Sequence, residues 1–133
     1  MQSYGYANRI LRVDLTKGEH YCSEIEPNQK SYIGGRGAAA QILYQEVPIG
    51  ADPLGPENRL IIFTGPLTGT LIPFSAKHVV VTKSPLTGGY TRSISGGFFS
   101  PELKFAGYDG IVISGRSERP VYLYITNERV ELR

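Results

Sequence analysis

Two runs of strand-forming residues each lead straight into the same four letters. Arg59 to Thr64 (RLIIFT) is followed by GPLTGT, Gly65 to Thr70, and His78 to Thr82 (HVVVT) is followed after Lys83 by SPLTGG, Ser84 to Gly89. In both copies Pro fixes its own φ, Thr supplies a hydroxyl, and the next Gly can take φ > 0, so the chain turns sharply where the apolar run stops. A fold that accommodates both copies has short buried strands ending in defined turns, and a disordered linker is excluded. Two readings of the turns remain open. They are strand-ending turns, or, because successive N–H groups in such a turn converge on one spot, they form a cradle for an anion.

The remaining elements follow from periodicity. Arg9 to Leu15 alternates apolar and polar residues, Thr16-Lys17-Gly18 supplies turn chemistry, and His20 to Ile25 completes a predicted hairpin. Gly34 to Val47 (GGRGAAAQILYQEV) places Ala39, Leu43 and Val47 at four-residue spacing, with Ala40 and Ile42 widening the face, which predicts a helix closed by Pro48. Ser100 to Gly107 (SPELKFAG) predicts a short helix with Ser100 as N-cap, Pro101 at the first position and Gly107 at its end. Gly110 to Ser114, Val121 to Ile125 and Arg129 to Arg133 read as strands, the last polar and edge-like. Strand signals outnumber helical ones and cluster in hairpins, so the expected class is α+β, mainly β-sheet with short helices. The 133 residues form one domain or a part of a larger one, and the chain ends inside an apparent strand.

Composition narrows the function classes. Fourteen Lys+Arg against twelve Asp+Glu give a net charge of +2 with the cations scattered, which argues against a nucleic-acid-binding face. No apolar segment approaches the roughly 18 to 20 residues that span a bilayer, and MQSYGYANRI lacks a leader pattern, so the expected location is the cytoplasm. Cys22 is the only cysteine, which excludes an intrachain disulfide and a cluster or tetrahedral thiolate site built by this chain alone. His20 and His78 have no partner at metal-ligand spacing. Ser93 and Ser95 have no adjacent His–Asp arrangement, and Asp52, Glu57, Glu102 and Asp109 sit in turn or cap contexts. No catalytic residue emerges.

The glycine-rich segments point to binding instead. Gly34-Gly35-Arg36-Gly37 precedes a predicted helix, and Ser93-Ile94-Ser95-Gly96-Gly97 precedes another, each offering close backbone approach to a bulky planar ligand. P-loop and dinucleotide motifs do not account for them, because Gly65 to Thr70 lacks the Lys and the 34–37 glycines lack the G-x-G-x-x-G spacing.

Taken together, YGYANRILRVDLTKG, YIGGRGAAAQILYQEVPIGADPLGPENRLIIFTGPLTGT, VVVTKSPLTGG and SGGFFSPELKFAGYDGIVISGRSERPVYLYI resemble, in one register from about Tyr4 to the end, the N-terminal domain of the aldehyde:ferredoxin oxidoreductases. The resemblance implies a domain built largely of a pair of β-sheets that supports a tungsten (or molybdenum) bis-molybdopterin with magnesium. It also implies later domains that hold a [4Fe-4S] cluster and the acid/base groups, ferredoxin as electron acceptor for oxidation of an aldehyde to the acid, and room for a homodimer. Carried residue by residue, it places Lys77 where the family has an arginine between pterin and cluster, and Ile94 where many members have Asn, at the magnesium bridging the two phosphates. A main-chain carbonyl at Ile94 would serve there. Arg92, Ser93, Ser95, Gly96 and Gly97 complete the expected cofactor surface, with Arg36 beside it. The alternative from another class is a stand-alone binding or assembly module that has the domain without the reaction.

Overall fold

The computed structural model describes residues 5–133; the first four positions of the stretch read above for a leader lie outside it. Among the described residues eight strands and three helices follow one another as β1 (Arg9–Asp14), β2 (Glu19–Glu24), α1 (Pro27–Lys30), α2 (Gly35–Glu46), β3 (Leu60–Thr64), β4 (Lys77–Lys83), β5 (Tyr90–Gly96), α3 (Phe99–Phe105), β6 (Gly110–Ser114), β7 (Leu123–Ile125) and β8 (Val130–Leu132). Six strands form one sheet in the order β2-β1-β6-β3-β4-β5, and β7 pairs with β8 separately. Only β1 and β6 pair in parallel; every other pairing is antiparallel, which agrees with the α+β class.

Strand alternation divides the core into two layers. Ile10, Ile61, Phe63, Val79, Val81 and Val112 point to one face and pack against Ala38, Ala39, Ile42 and Leu43 of α2. Leu11, Val13 and Ile111 point to the other, against Leu103 of α3 and Tyr108, with apolar residues of β7 and β8 alongside. Each fully buried Ile, Leu or Phe in these layers contributes about 2 kcal/mol. The helix α2 lies across the sheet with its start over the end of β3, where a Cβ on Gly35 would stand 2.8 Å from the Phe63 carbonyl oxygen. Its last turn is tied down by Glu46, which accepts from Arg12 at 2.7 Å and from Arg59 at 3.4 Å.

Two expectations need correction. Ser93 to Gly97 is expected to be a glycine-rich loop, but all of it except Gly97 lies in the edge strand β5 (Tyr90–Gly96), paired in register with β4 from Lys77↔Gly96 to Lys83↔Tyr90. Ser100 does not cap α3, whose N-cap is Phe98; the Ser100 side chain is fully buried and bonds His78 Nδ1 at 2.7 Å. Asp109 stands in the bend before β6, in agreement with its turn context. It is buried, pairs with the Lys104 ammonium and accepts from the Ala7 N–H at 3.1 Å, while Lys104 also donates to the Gly5 carbonyl at 2.7 Å. A one-turn helix, α1, precedes α2, with Gln29, three residues after Glu26, accepting from the Glu26 N–H at 3.0 Å.

Candidate functional site: a cationic mouth at one end of the sheet

The two PLTG turns lie at opposite ends of the sheet, because β4 runs from one to the other. Seven residues of extended chain separate them by about 20 Å. They therefore cannot form a single cradle. Each turn also consumes its own donors. In the first, Thr68 is buried; its Oγ1 accepts from the Gly65 N–H at 3.2 Å and donates toward the Ser75 carbonyl at 3.0 Å. In the second, Ser84 Oγ accepts from Leu86 and Thr87, and the Gly88 N–H reaches the Ser84 carbonyl at 2.8 Å. Gly69 and Gly88 do take positive φ, +79° and +69°, as the turns require. The strand-ending reading holds for both.

The first turn nevertheless borders a cavity of about 490 Å³ whose wall includes Ile33, Arg36, Phe74, Lys77 and Ile94. Arg36, Lys77 and Ile94, separated by up to 58 positions in sequence, are thus brought together. Lys77, Val79, Val81 and their partners Gly96, Ile94 and Arg92 share the α2 face, which places Arg92 on the same face beyond the cavity wall. Ser93 and Ser95 pair with Val80 and His78 and so point to the opposite face. The expected cofactor surface is therefore divided by strand alternation.

The electrostatics of the mouth have one sign. Among the described residues no Asp or Glu lines the cavity, and neither Arg36 nor Lys77 makes an ion pair. The first turn of α2 has no side-chain cap and no acidic residue, so the positive end of a twelve-residue helix opens here. Arg36 presents a planar fork and Lys77 a point charge, a donor set suited to phosphate oxygens. The glycines of 34–37 do not provide the ligand approach expected of them. A Cβ on Gly34 would stand 3.2 Å from Pro66, and one on Gly37 would stand 2.7 Å from the Tyr32 Cβ, so these glycines serve close packing within the chain. Gly97 is different: its φ is +99° and nothing lies within 4 Å of the Cβ position.

Behind the mouth, His78 stands between β4 and α3, bonded to Ser100 and edge-on to the Phe99 ring. Burial pushes its imidazole below its ordinary value of 6.5. A base whose affinity for protons is lower when folded makes stability rise with pH, so this contribution is complete above the unfolded value and lost as pH falls through it toward the depressed one. The thermal midpoint is expected to drop as pH falls below about 6.5, and His78→Gln to flatten that part of the profile. An unchanged slope in the variant would contradict the assignment. Cys22 is exposed on β2, the sheet edge opposite β5, with Arg9 donating to its sulfur at 3.3 Å, and takes no part in the mouth. Among the described residues no group of three or more His, Cys, Asp or Glu is placed to hold a metal ion, and no helix is long and apolar enough to cross a membrane.

A mixed sheet flanked by helices, with a cationic, acid-free mouth at one end, defines an α+β domain equipped to receive an anionic ligand. The profile described as "Aldehyde ferredoxin oxidoreductase, N-terminal domain" matches residues 10–133, and the chain belongs to that family. It is 53% identical over 131 residues to a tungsten-containing aldehyde ferredoxin oxidoreductase of Thermococcus kodakarensis and 50% identical to one of Pyrococcus furiosus, each match taking in 98% of this chain and 22% of the relative. An aliphatic sulfonate oxidoreductase, WOR-like subunit, of Pyrococcus furiosus is 43% identical over 98% of this chain and 21% of its own length. The solved active-site complex BamBC of benzoyl coenzyme A reductase, in complex with 1,5-dienoyl-CoA, superposes with a TM-score of 0.96 at 43% identity, over 99% of this chain and 20% of that one. The chain thus spans about a fifth of the length of the relatives it matches, which are oxidoreductases in which this domain is one part.

Proposed function

We propose that this chain is the cofactor-supporting N-terminal part of a tungsten (or molybdenum) bis-pterin oxidoreductase that converts an aldehyde to the acid and passes electrons through a [4Fe-4S] cluster to ferredoxin. The observation that carries the reading is the meeting of Arg36, Lys77 and the uncapped start of α2 at one acid-free cavity. The donor chemistry fits a doubly phosphorylated pterin group. When bound, that group supplies the redox chemistry.

The residues of this chain bind and orient. Arg36 and Lys77 neutralise phosphate charge, and the first-turn N–H groups of α2 add neutral donors. The ammonium of Lys77 holds charge at that point without a bidentate fork, which leaves geometric selection to Arg36. A main-chain oxygen of Ile94, on the sheet's edge strand, is the magnesium ligand in this reading; carbonyl oxygen is a hard donor of the kind magnesium takes. Gly97 leaves the strand end open to backbone approach, Gly96 before it sits against the Ala76 carbonyl, and Arg92, Ser93 and Ser95 flank the strand end on the two faces. No residue of this chain is assigned as acid or base.

Metal and pterin analysis of the full-length protein, purified without oxygen, tests the proposal. Tungsten or molybdenum together with pterin is expected; a protein with neither metal and no pterin would remove it.

A further inference from the structure

Beyond the phosphate-binding cations, we infer that Phe74 and Ile33 form an apolar clamp for the flat ring system of the pterin, an inference that rests on the function proposed above. Both residues line the cavity that holds Arg36 and Lys77. Both have left-handed backbone, φ +61° at Phe74 and +47° at Ile33, a conformation that bulky and β-branched residues rarely adopt. Glycine or asparagine would hold it with less strain.

Burial within the chain does not offset that strain, because the Phe74 and Ile33 side chains are 95% and 80% exposed. At Ile33 the conformation closes the turn after α1, where its N–H donates to the Lys30 carbonyl at 3.0 Å; at Phe74 side-chain burial supplies no such reason, and residues held in sparsely populated backbone regions cluster at ligand clamps. The rest of the wall identifies the ligand's character. Leu67, Ile72 and Ile94 are apolar, and charge is confined to the two cations. A ligand that matches has a flat, weakly hydrated body and an anionic end. A pterin with its phosphate has both: Arg36 and Lys77 would hold the phosphate, and Phe74 and Ile33 would supply apolar contact to the ring.

The test uses the full-length protein with three variants. Phe74→Gly and Phe74→Asn accept left-handed backbone and remove the ring, whereas Phe74→Tyr keeps it. Two quantities are read: the thermal midpoint of the cofactor-stripped protein, and the rate at which loaded protein loses pterin after dilution. The expected result is that Phe74→Gly and Phe74→Asn unfold at or above the wild-type temperature yet release pterin roughly tenfold faster, the loss of one stacked ring, while Phe74→Tyr behaves as wild type. Equal release from wild type and Phe74→Gly would overturn the clamp and leave the proposed function standing. A lowered midpoint in stripped Phe74→Gly would also overturn it, by showing that the ring packs on a later part of the polypeptide. A wild-type protein that carries no pterin would overturn both.

Discussion

Gly110→Ala is expected to cost about 3 kcal/mol or more, enough to unfold a domain of ordinary stability on modest heating. Gly110 begins β6 at the centre of the sheet, opposite Ile10 on one side and Phe63 on the other. A methyl group there would enter the Phe63 ring and approach the Ile62 carbonyl oxygen to 2.8 Å. Neither neighbour can give way: the carbonyl belongs to the paired strand, and Phe63 is 1% exposed in the α2 layer. The conflict is steric, so the double variant Gly110→Ala, Phe63→Leu should recover part of the loss. Denaturant unfolding checks this. A Gly110→Ala protein with wild-type stability would show that the β3–β6 packing described here is wrong.

Asp109→Ala should be of similar size, about 3 to 5 kcal/mol, for an electrostatic reason. The substitution leaves the Lys104 ammonium, whose side chain is 9% exposed, with no counterion, and it strips the Ala7 N–H of its acceptor. The Lys104 ammonium is further held by the Gly5 carbonyl and lies 5.7 Å from the centre of the Tyr6 ring, so the pair fastens the segment before β1 to the end of α3. Burial first, and the Asp109 carboxylate second, push the Tyr6 phenol upward, as expected of a ring held against this pair. Adding Lys104→Met to Asp109→Ala removes the orphaned charge and should restore much of the stability, a non-additivity that a double-mutant cycle measures. Strict additivity of the two changes would contradict a coupled pair.

The features legible in the sequence were those carried by local pattern. RLIIFT, HVVVT and GIVIS declare β3, β4 and β6 by their apolar, β-branched runs, and the alternation from Arg9 declares the first hairpin. The edge strand β5 was hidden because YTRSISG is rich in small polar residues; it is extended because β4 pairs with it, not because of its own propensity. Ser100 has every local mark of an N-cap, and only His78, 22 positions away, explains why its hydroxyl turns inward. The glycines of 34–37 suggested a ligand because a single sequence does not reveal that Pro66, Phe63 and Tyr32 press against them. The Lys104–Asp109 pair looked like helix end and turn, since burial is a property of the assembled layers.

For the site, the residue types were readable and their grouping was not. Arg36, Lys77 and Ile94 meet at one cavity because α2 starts over the end of β3 while β4 and β5 run side by side. The same strand geometry sends Ser93 and Ser95 to the opposite face, a division invisible in a list of motif positions. The repeated PLTG, the most conspicuous sequence feature, serves as two self-satisfied turns and shapes the mouth only through the first copy.

In the proposed function this domain's cationic mouth holds the pterin phosphates. The most direct test of this is the pterin and metal content of full-length protein purified without oxygen, wild type beside the double charge reversal Arg36→Glu, Lys77→Glu. A loaded wild-type protein is expected beside a folded double variant that has lost most of its pterin, since two exposed cations carry little of the fold's stability and much of the phosphate attraction. Equal pterin content in the two proteins would contradict it.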